Sequence, residues 1–191
     1  MALPVTFVAG DVLQASQLNS NFTYLEGVGG LQLIKTQVIG SAVASVEVTG
    51  AFSATYDNYL ITVSGGGSST QASMRMKLGA TTAGYFCSFA NAPYNQSGVS
   101  SVGTNNGAIW DAIGNTAANG TYIVMTLLAP QLAKLTYMSS AFVNLSGLAG
   151  TGTGQCNGFL NNTTQYTAFT ILPGSGTLTG GTIRVYGYAN S

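Results

Sequence analysis

Few side chains in this sequence could do chemistry, and their identities narrow what it could be. The 191 residues include no histidine, which removes the commonest general base and metal ligand. It also removes every Ser-His or Cys-His nucleophile pair. The acids are Asp11, Glu26, Glu47, Asp57 and Asp111. A glycosidase needs two carboxylates flanking one bond. Asp57 and Asp111 are the pair to weigh, although Asp57-Asn58 is ordinary turn chemistry. Thiolate ligation of a metal would need four sulfurs or histidines, and only Cys87 and Cys156 exist. These two could pair or stay free. Both lie in strand-like segments, where free buried cysteine is common, and that favours free thiols. The glycine runs Gly65–Gly67 and Gly150–Gly154 are not followed by Lys-Ser/Thr or by an apolar helix, as a phosphate loop requires. The expectation is a chain without catalytic residues, bound metal or cofactor.

What remains is recognition by neutral groups. Tyrosine rings stack on sugars and asparagine amides hydrogen-bond them, which singles out Tyr85, Tyr94, Tyr166, Asn161 and Asn162. The stretch Asn91–Asn106 is poor in apolar residues and rich in Asn, Ser and Gly, and reads as a long exposed loop. Such loops tend to carry function. Asn91, Tyr94, Asn95 and Asn105 are its candidate contacts, with Asn161 to Tyr166 as a second segment. The alternative is that these tyrosines cap strand ends or fill an interface, and that Asn91–Asn106 packs on a neighbouring subunit. The Asn-x-Ser/Thr triplets (Asn21, Asn95, Asn119, Asn144, Asn161, Asn162) are what this composition produces by chance. MALPVTF has neither the basic nor the apolar region of a signal peptide.

Charged residues make up only 5% of the chain and sum to zero net charge. No long-range field steers nucleic acid or anionic lipid to it, and no apolar run is long enough to span a bilayer. So little charge gives weak protection against self-association, which points to a protein that works inside an assembly.

The elements that must position these residues fall in two parts, 1–30 and 31–191. Met1 to Gly10 reads as an extended arm. Asp11 to Glu26 holds a short helix with Ser16 as N-cap. Ala15, Leu18, Phe22 and Leu25 recur at three, four, three, an a/d seam two heptads long. A helix so short is marginal alone, so its stripe needs a partner. Gly27 to Gly30 reads as a hinge. Beyond it the pattern is β: Leu31 to Ile39, Val43 to Thr49, Tyr59 to Ser64, Ser73 to Leu78, Tyr85 to Phe89, Ile109 to Ile113, Tyr122 to Leu128, Leu135 to Leu145, Gln155 to Leu160, Ala168 to Leu172 and Thr182 to Tyr188. Gly147 to Gly154 reads as a second glycine loop. About ten short strands with turn signals between them indicate a mainly β chain, an antiparallel sandwich or barrel.

Two stretches resemble known sequences. Phe7, Gly10, Leu18, Asn19, Asn21 and Phe22, within FVAGDVLQASQLNSNFTYLEG, resemble the N-terminal segment of tailed-bacteriophage virion proteins. There an aromatic-x-x-Gly arm leads into a helix with Leu/Val-Asn-x-Asn-Phe. Gly30–Gly65 and the terminal GGTIRVYGY, Gly180–Tyr188, resemble modules of phage structural proteins. The resemblance implies a virion component with a jelly-roll-like β-sandwich, usually trimeric, assembled in the host cytoplasm. On this reading Phe7, Ala15, Leu18, Asn19, Phe22 and Leu25 serve attachment and trimerisation. The partners are other copies of the chain, other virion proteins, and a host-surface glycan or protein. Nucleic acid and membrane insertion are not expected. A trimeric short fibre that binds the host surface leads. A capsid decoration (cement) protein is the alternative, and a glycan depolymerase is disfavoured by the sparse acids.

Overall fold

The computed structural model describes residues 3–12, 14–27, 30–95, 97–144 and 151–190. Among them one helix, α1 (Ala15–Gly27), precedes fourteen strands. These are β1 (Leu31–Val38), β2 (Val46–Val48), β3 (Asn58–Ser64), β4 (Gly67–Ser68), β5 (Ala72–Leu78), β6 (Tyr85–Pro93) and β7 (Ser100–Gly107). Then come β8 (Trp110–Ala117), β9 (Gly120–Leu128), β10 (Thr136–Asn144), β11 (Gly152–Leu160), β12 (Phe169–Pro173), β13 (Leu178–Thr179) and β14 (Thr182–Tyr188).

Period-two alternation makes most of these strands. β3 buries Tyr59, Ile61 and Val63; β5 buries Met74, Met76 and Leu78; β9 buries Ile123, Met125 and Leu127; β14 buries Ile183 and Val185. In each case the intervening residues face the other way. Strands patterned like this need a second layer to close over the apolar side, and the chain supplies it. The larger sheet runs β1-β14-β3-β9-β10-β11-β6-β7, and the smaller β2-β12-β5-β8. All the pairings are antiparallel. The sheets meet at the β8–β9 hairpin, where Thr116 pairs with Thr121 and Ala117 with Gly120.

Read in chain order, β1, β2, β3, β5, β8, β9, β12 and β14 cross between the two sheets at every step except β5 to β8, which are neighbours in the smaller one. That is the connectivity of a jelly-roll sandwich. Two hairpins, β6–β7 and β10–β11, are inserted into it, and both extend the larger sheet beyond β9. Trp110 and Ile113 of β8 and Phe169 and Ile171 of β12 fill the space between the layers. The Trp110 indole meets the Tyr85 ring edge-on at 5.1 Å. Buried tyrosine hydroxyls find backbone partners, as they must. The Tyr59 hydroxyl accepts from the Ser53 N–H at 2.8 Å and lies 2.8 Å from the Ser53 carbonyl. The Tyr85 hydroxyl accepts from the Leu78 N–H at 2.8 Å, and burial pushes its pKa up to about 12.

Several boundaries differ from the sequence reading. Asn91–Asn106 is not one loop, because β6 runs on to Pro93 and β7 takes up Ser100–Gly107. β7 is an edge strand exposed along nearly its whole length, so no alternation marks it. Gly152 and Gly154 are strand residues rather than part of a glycine loop. A side chain at Gly154 would collide with the Phe142 ring. Residues 147–150 of that stretch lie outside the described residues, as do 28–29 of the hinge and residue 145 of the strand expected from Leu135 to Leu145. α1 begins at Ala15, one residue before the expected Ser16 cap. The Gln14 carbonyl takes the first helical bond, from the Leu18 N–H at 3.1 Å.

One end of the sandwich is closed by backbone against backbone. Gly66 has φ +65°, and a Cβ there would run into the Gly180–Gly181 peptide. Gly98, by contrast, faces open space with no such φ. Gly66→Ala is therefore expected to lower unfolding stability by about 1–3 kcal/mol, and Gly98→Ala to change it little, as measured by urea denaturation.

Candidate functional site

Two places combine unusual geometry with polar chemistry: the N-terminal stem, and a pocket at the overhang of the larger sheet.

In the stem, α1 sorts its residues onto two faces. Gln17, Asn21 and Tyr24, spaced four and three, share the face turned to the arm. Asn21 is buried. Its side-chain Oδ1 accepts from the Val5 N–H at 3.0 Å, and its Nδ2 donates to the Val5 carbonyl at 2.9 Å. One amide thus satisfies both backbone groups of an arm residue, as a neighbouring strand would. Farther along the arm the chain turns at Gly10 (φ +98°). There the Asp11 carboxylate accepts from the Val8 N–H at 2.9 Å. Phe7 is half-buried beside this turn.

The seam expected from the sequence lies on the other face. Leu18 is 38%, Phe22 54% and Leu25 50% exposed, and Ala15 and Asn19 are exposed too. The structure brings Leu18, Phe22 and Leu25 together as one stripe and leaves it in solvent. Asn21 is the residue that sequence reasoning passed over as a site. Its signal was a polar residue inside the helix with no capping role.

The pocket, about 220 Å³, opens between β8 and the β6–β7 hairpin. Ser73, Cys87, Phe89, Thr104, Asp111 and Asn115 line it. Cys87 and Cys156 are both free and buried, in accord with the favoured reading. Their register explains why they remain apart. Cys87 stands opposite Gly158 and Cys156 opposite Phe89, so the two are diagonal neighbours, about 7–8 Å apart along the backbone. That exceeds the usual reach of a disulfide. The Cys87 pKa is held below the usual thiol value. The hydrogen bond from Cys156 is the largest cause; burial opposes it; the Asp111 backbone N–H and the Thr104 hydroxyl reinforce it. Cys156 is raised correspondingly, as the proton-holding partner of the pair.

Asp111 is occupied by Arg75, Nε to Oδ1 at 2.5 Å. The Nε–H is not aligned along this contact, and Arg75 Nε lacks a well-formed hydrogen bond. With both groups a third to a half exposed, this is charge proximity at a wet surface, worth under about 1 kcal/mol. Asp57 sits in the turn before β3, where its carbonyl accepts from the Ala129 N–H at 2.9 Å. Among the described residues no three metal-ligating side chains cluster, and no helix is long and apolar enough to cross a membrane.

The recognition candidates are scattered. Tyr94 is 68% exposed beyond the end of β6, next to exposed Asn95, and its N–H reaches the Thr151 carbonyl at 2.9 Å. Asn105 is exposed on β7 and Asn161 is exposed after β11. Asn91 is buried on β6, because its position in the alternation turns it inward. Tyr85 and Tyr166 are interior as well. The Tyr166 hydroxyl is held by Thr81 at 2.7 Å and by Asn162, so neither ring offers a stacking face.

No protein-family model matches the chain, and no curated protein matches it.

Two outcomes follow from this geometry. Asn21→Ala should free the arm, so that limited proteolysis cuts before residue 12 faster than in the parent, with the β body untouched. Cys87 should react with a small neutral alkylating reagent at lower pH than an ordinary thiol, since the thiolate is the nucleophile. Cys156→Ala removes the largest stabilising contact and should move the onset of alkylation to higher pH. An unchanged onset contradicts the pairing.

Proposed function

We propose that this chain is a non-enzymatic surface protein of a bacteriophage virion. In this reading it is a homotrimeric short fibre that docks on the particle through residues 1–30 and displays the β body for host-surface binding. The observation that carries the proposal is the stripe Leu18, Phe22, Leu25. It is solvent-exposed on a helix whose opposite face is already occupied by its own arm. These three large apolar side chains stand 38–54% exposed on a two-turn seam, and completing their burial would gain part of the about 1.5–3 kcal/mol that full burial of each is worth. Such a stripe suits a three-fold seam or a socket on a larger assembly. The absence of histidine and the engagement of Asp111 by Arg75 support a binding role over turnover.

In this proposal, contact with the host surface falls to the exposed segment beyond β6, with Tyr94 as the stacking ring and Asn95 beside it. Single neutral hydrogen bonds net about 1 kcal/mol, so binding would rely on several copies per particle. A second reading, a capsid decoration (cement) protein, is favoured by the short connection between α1 and β1. Only residues 28–30 separate them, so no shaft stands between base and body.

Leu18→Asp or Phe22→Asp should spoil assembly through the stem or particle docking and leave the β circular-dichroism signal intact. Loss of that signal would place the helix in the body's own core and end the proposal. Tyr94→Ala separates the two readings. Adsorption lost with particle stability intact supports the fibre, and stability lost alone supports cement. Reproducible turnover of a host polysaccharide, abolished by Asp57→Asn or Asp111→Asn, would overturn both.

A further inference from the structure

The two outer faces of the sandwich differ in charge. On the smaller sheet, Glu47, Thr170 and Lys77 stand in register across β2, β12 and β5, and the Arg75–Asp111 pair lies alongside. That sheet carries four of the chain's ten charged residues. The outer face of the larger sheet is built from four rows of side chains crossing β1, β14, β3, β9, β10, β11 and β6. One row reads Leu33, Tyr186, Leu60, Thr126, Ser139, Asn157, Ser88. The next reads Thr36, Arg184, Thr62, Val124, Ala141, Gln155, Ala90. Through all the rows, Arg184 is the one charged residue among those described.

We infer that this uncharged face is the surface through which the β body packs against other copies of the same chain. Three observations single out a second copy as the occupant. The first is area. Leu31, Leu33, Val38, Tyr122, Val124 and Tyr137 lie on this face between 40% and 65% exposed. At about 200 Å² for a side chain of this size in water, they present roughly 600 Å². Phe159 and the half-buried Tyr186 and Tyr188 carry the face toward the ~800 Å² that one partner gives to a standard interface. The second is charge. A surface of one sign repels its own copy and selects a partner of opposite sign. A neutral one carries no such penalty against itself. The third is continuity. α1 leads into β1, and β1 begins with Leu31 and Leu33, both about half exposed apolar residues of the face. The stem's stripe and the sheet's patch are therefore consecutive along the chain. The face also has relief: a depression of about 370 Å³ between β3, β9 and β10, with Thr62, Tyr122, Val124 and Ala141 among its walls, can receive a protruding side chain.

The inference rests on the proposed function only for the copy number; the face itself follows from burial and charge. The test uses the full chain in sedimentation velocity, with circular dichroism as the folding control. Val124→Glu and Leu33→Glu each place a charge on the face at a half-exposed position, where the folded monomer tolerates it. Both should weaken self-association at least about tenfold with unchanged β signal. Thr170→Lys, on the charged sheet, should leave association as in the parent. The stem variant Phe22→Asp should retain residual association through the bodies. If Val124→Glu and Leu33→Glu both associate like the parent while Phe22→Asp alone dissociates, the face is not an interface and the stem proposal stands. A parent chain that stays monomeric up to millimolar concentration overturns self-association through the face. Particle docking of Phe22→Asp then decides the stem proposal by itself.

Discussion

The chain must keep crossing between two layers, and the burial of apolar side chains between those layers holds the structure in register. Tyr59, Met76, Trp110, Met125, Phe169 and Val185 come from six strands and two sheets, and each is fully out of water. A one-residue slip in any of these strands would turn its whole apolar set outward. The final crossing before the β10–β11 insertion, β8 to β9, is pinned from inside. There the Thr116 and Thr121 hydroxyls, both buried, meet at 2.5 Å. A buried hydroxyl with no partner costs about 1–3 kcal/mol, so this pair favours the register that lets the two satisfy each other. The two added hairpins depend on this frame, since they extend a sheet whose twist and face β9 has already set.

The extension also explains the pocket. The larger sheet has twice as many strands as the smaller, so beyond β8 its inner surface has no strand directly above it. Phe89 and Phe142, stacked at 5.5 Å, cover part of that surface. Glycines on β11 make room here: Gly154 lies under the Phe142 ring, and Gly158 lies against Cys87. The thiol pair sits at the margin of this overhang, where burial is nearly complete on one side and solvent begins on the other. Its asymmetric ionisation is a product of position: Cys87 has donors around it, and Cys156 has only Cys87 and an apolar wall.

Much of the architecture was legible in the sequence wherever one strand face is core and the other is not. β3, β5, β9 and β14 announce themselves through Tyr59/Ile61/Val63, Met74/Met76/Leu78, Ile123/Met125/Leu127 and Ile183/Val185. β7 did not. Both of its faces are largely wet, so Ser100 to Gly107 carries no alternation and passes for a loop. β11 was legible from Gln155 to Leu160, and only its first residues were missed, for the opposite reason: the inner positions Gly152 and Gly154 pack against the β6 backbone and the Phe142 ring, and glycine reads as turn. The helix and its stripe were legible from spacing, but spacing cannot say which way a stripe points. That depended on Asn21 and Val5, sixteen residues apart and joined by hydrogen bonds that no local pattern encodes. The pairing of Cys87 with Cys156 likewise required the β6–β11 register.

The scarcity of charge has a consequence for the medium the protein can live in. Among the described residues one ion pair is present, half in water. Apart from the Asp11 carboxylate at the turn of the arm, the remaining contacts described are apolar packing and neutral hydrogen bonds. Dissolved ions act on proteins chiefly by screening charge, over about 10 Å at 0.1 M, and here they find almost nothing to screen. Changes in dilute salt, where screening is the main effect, therefore leave the forces that hold this molecule nearly unchanged.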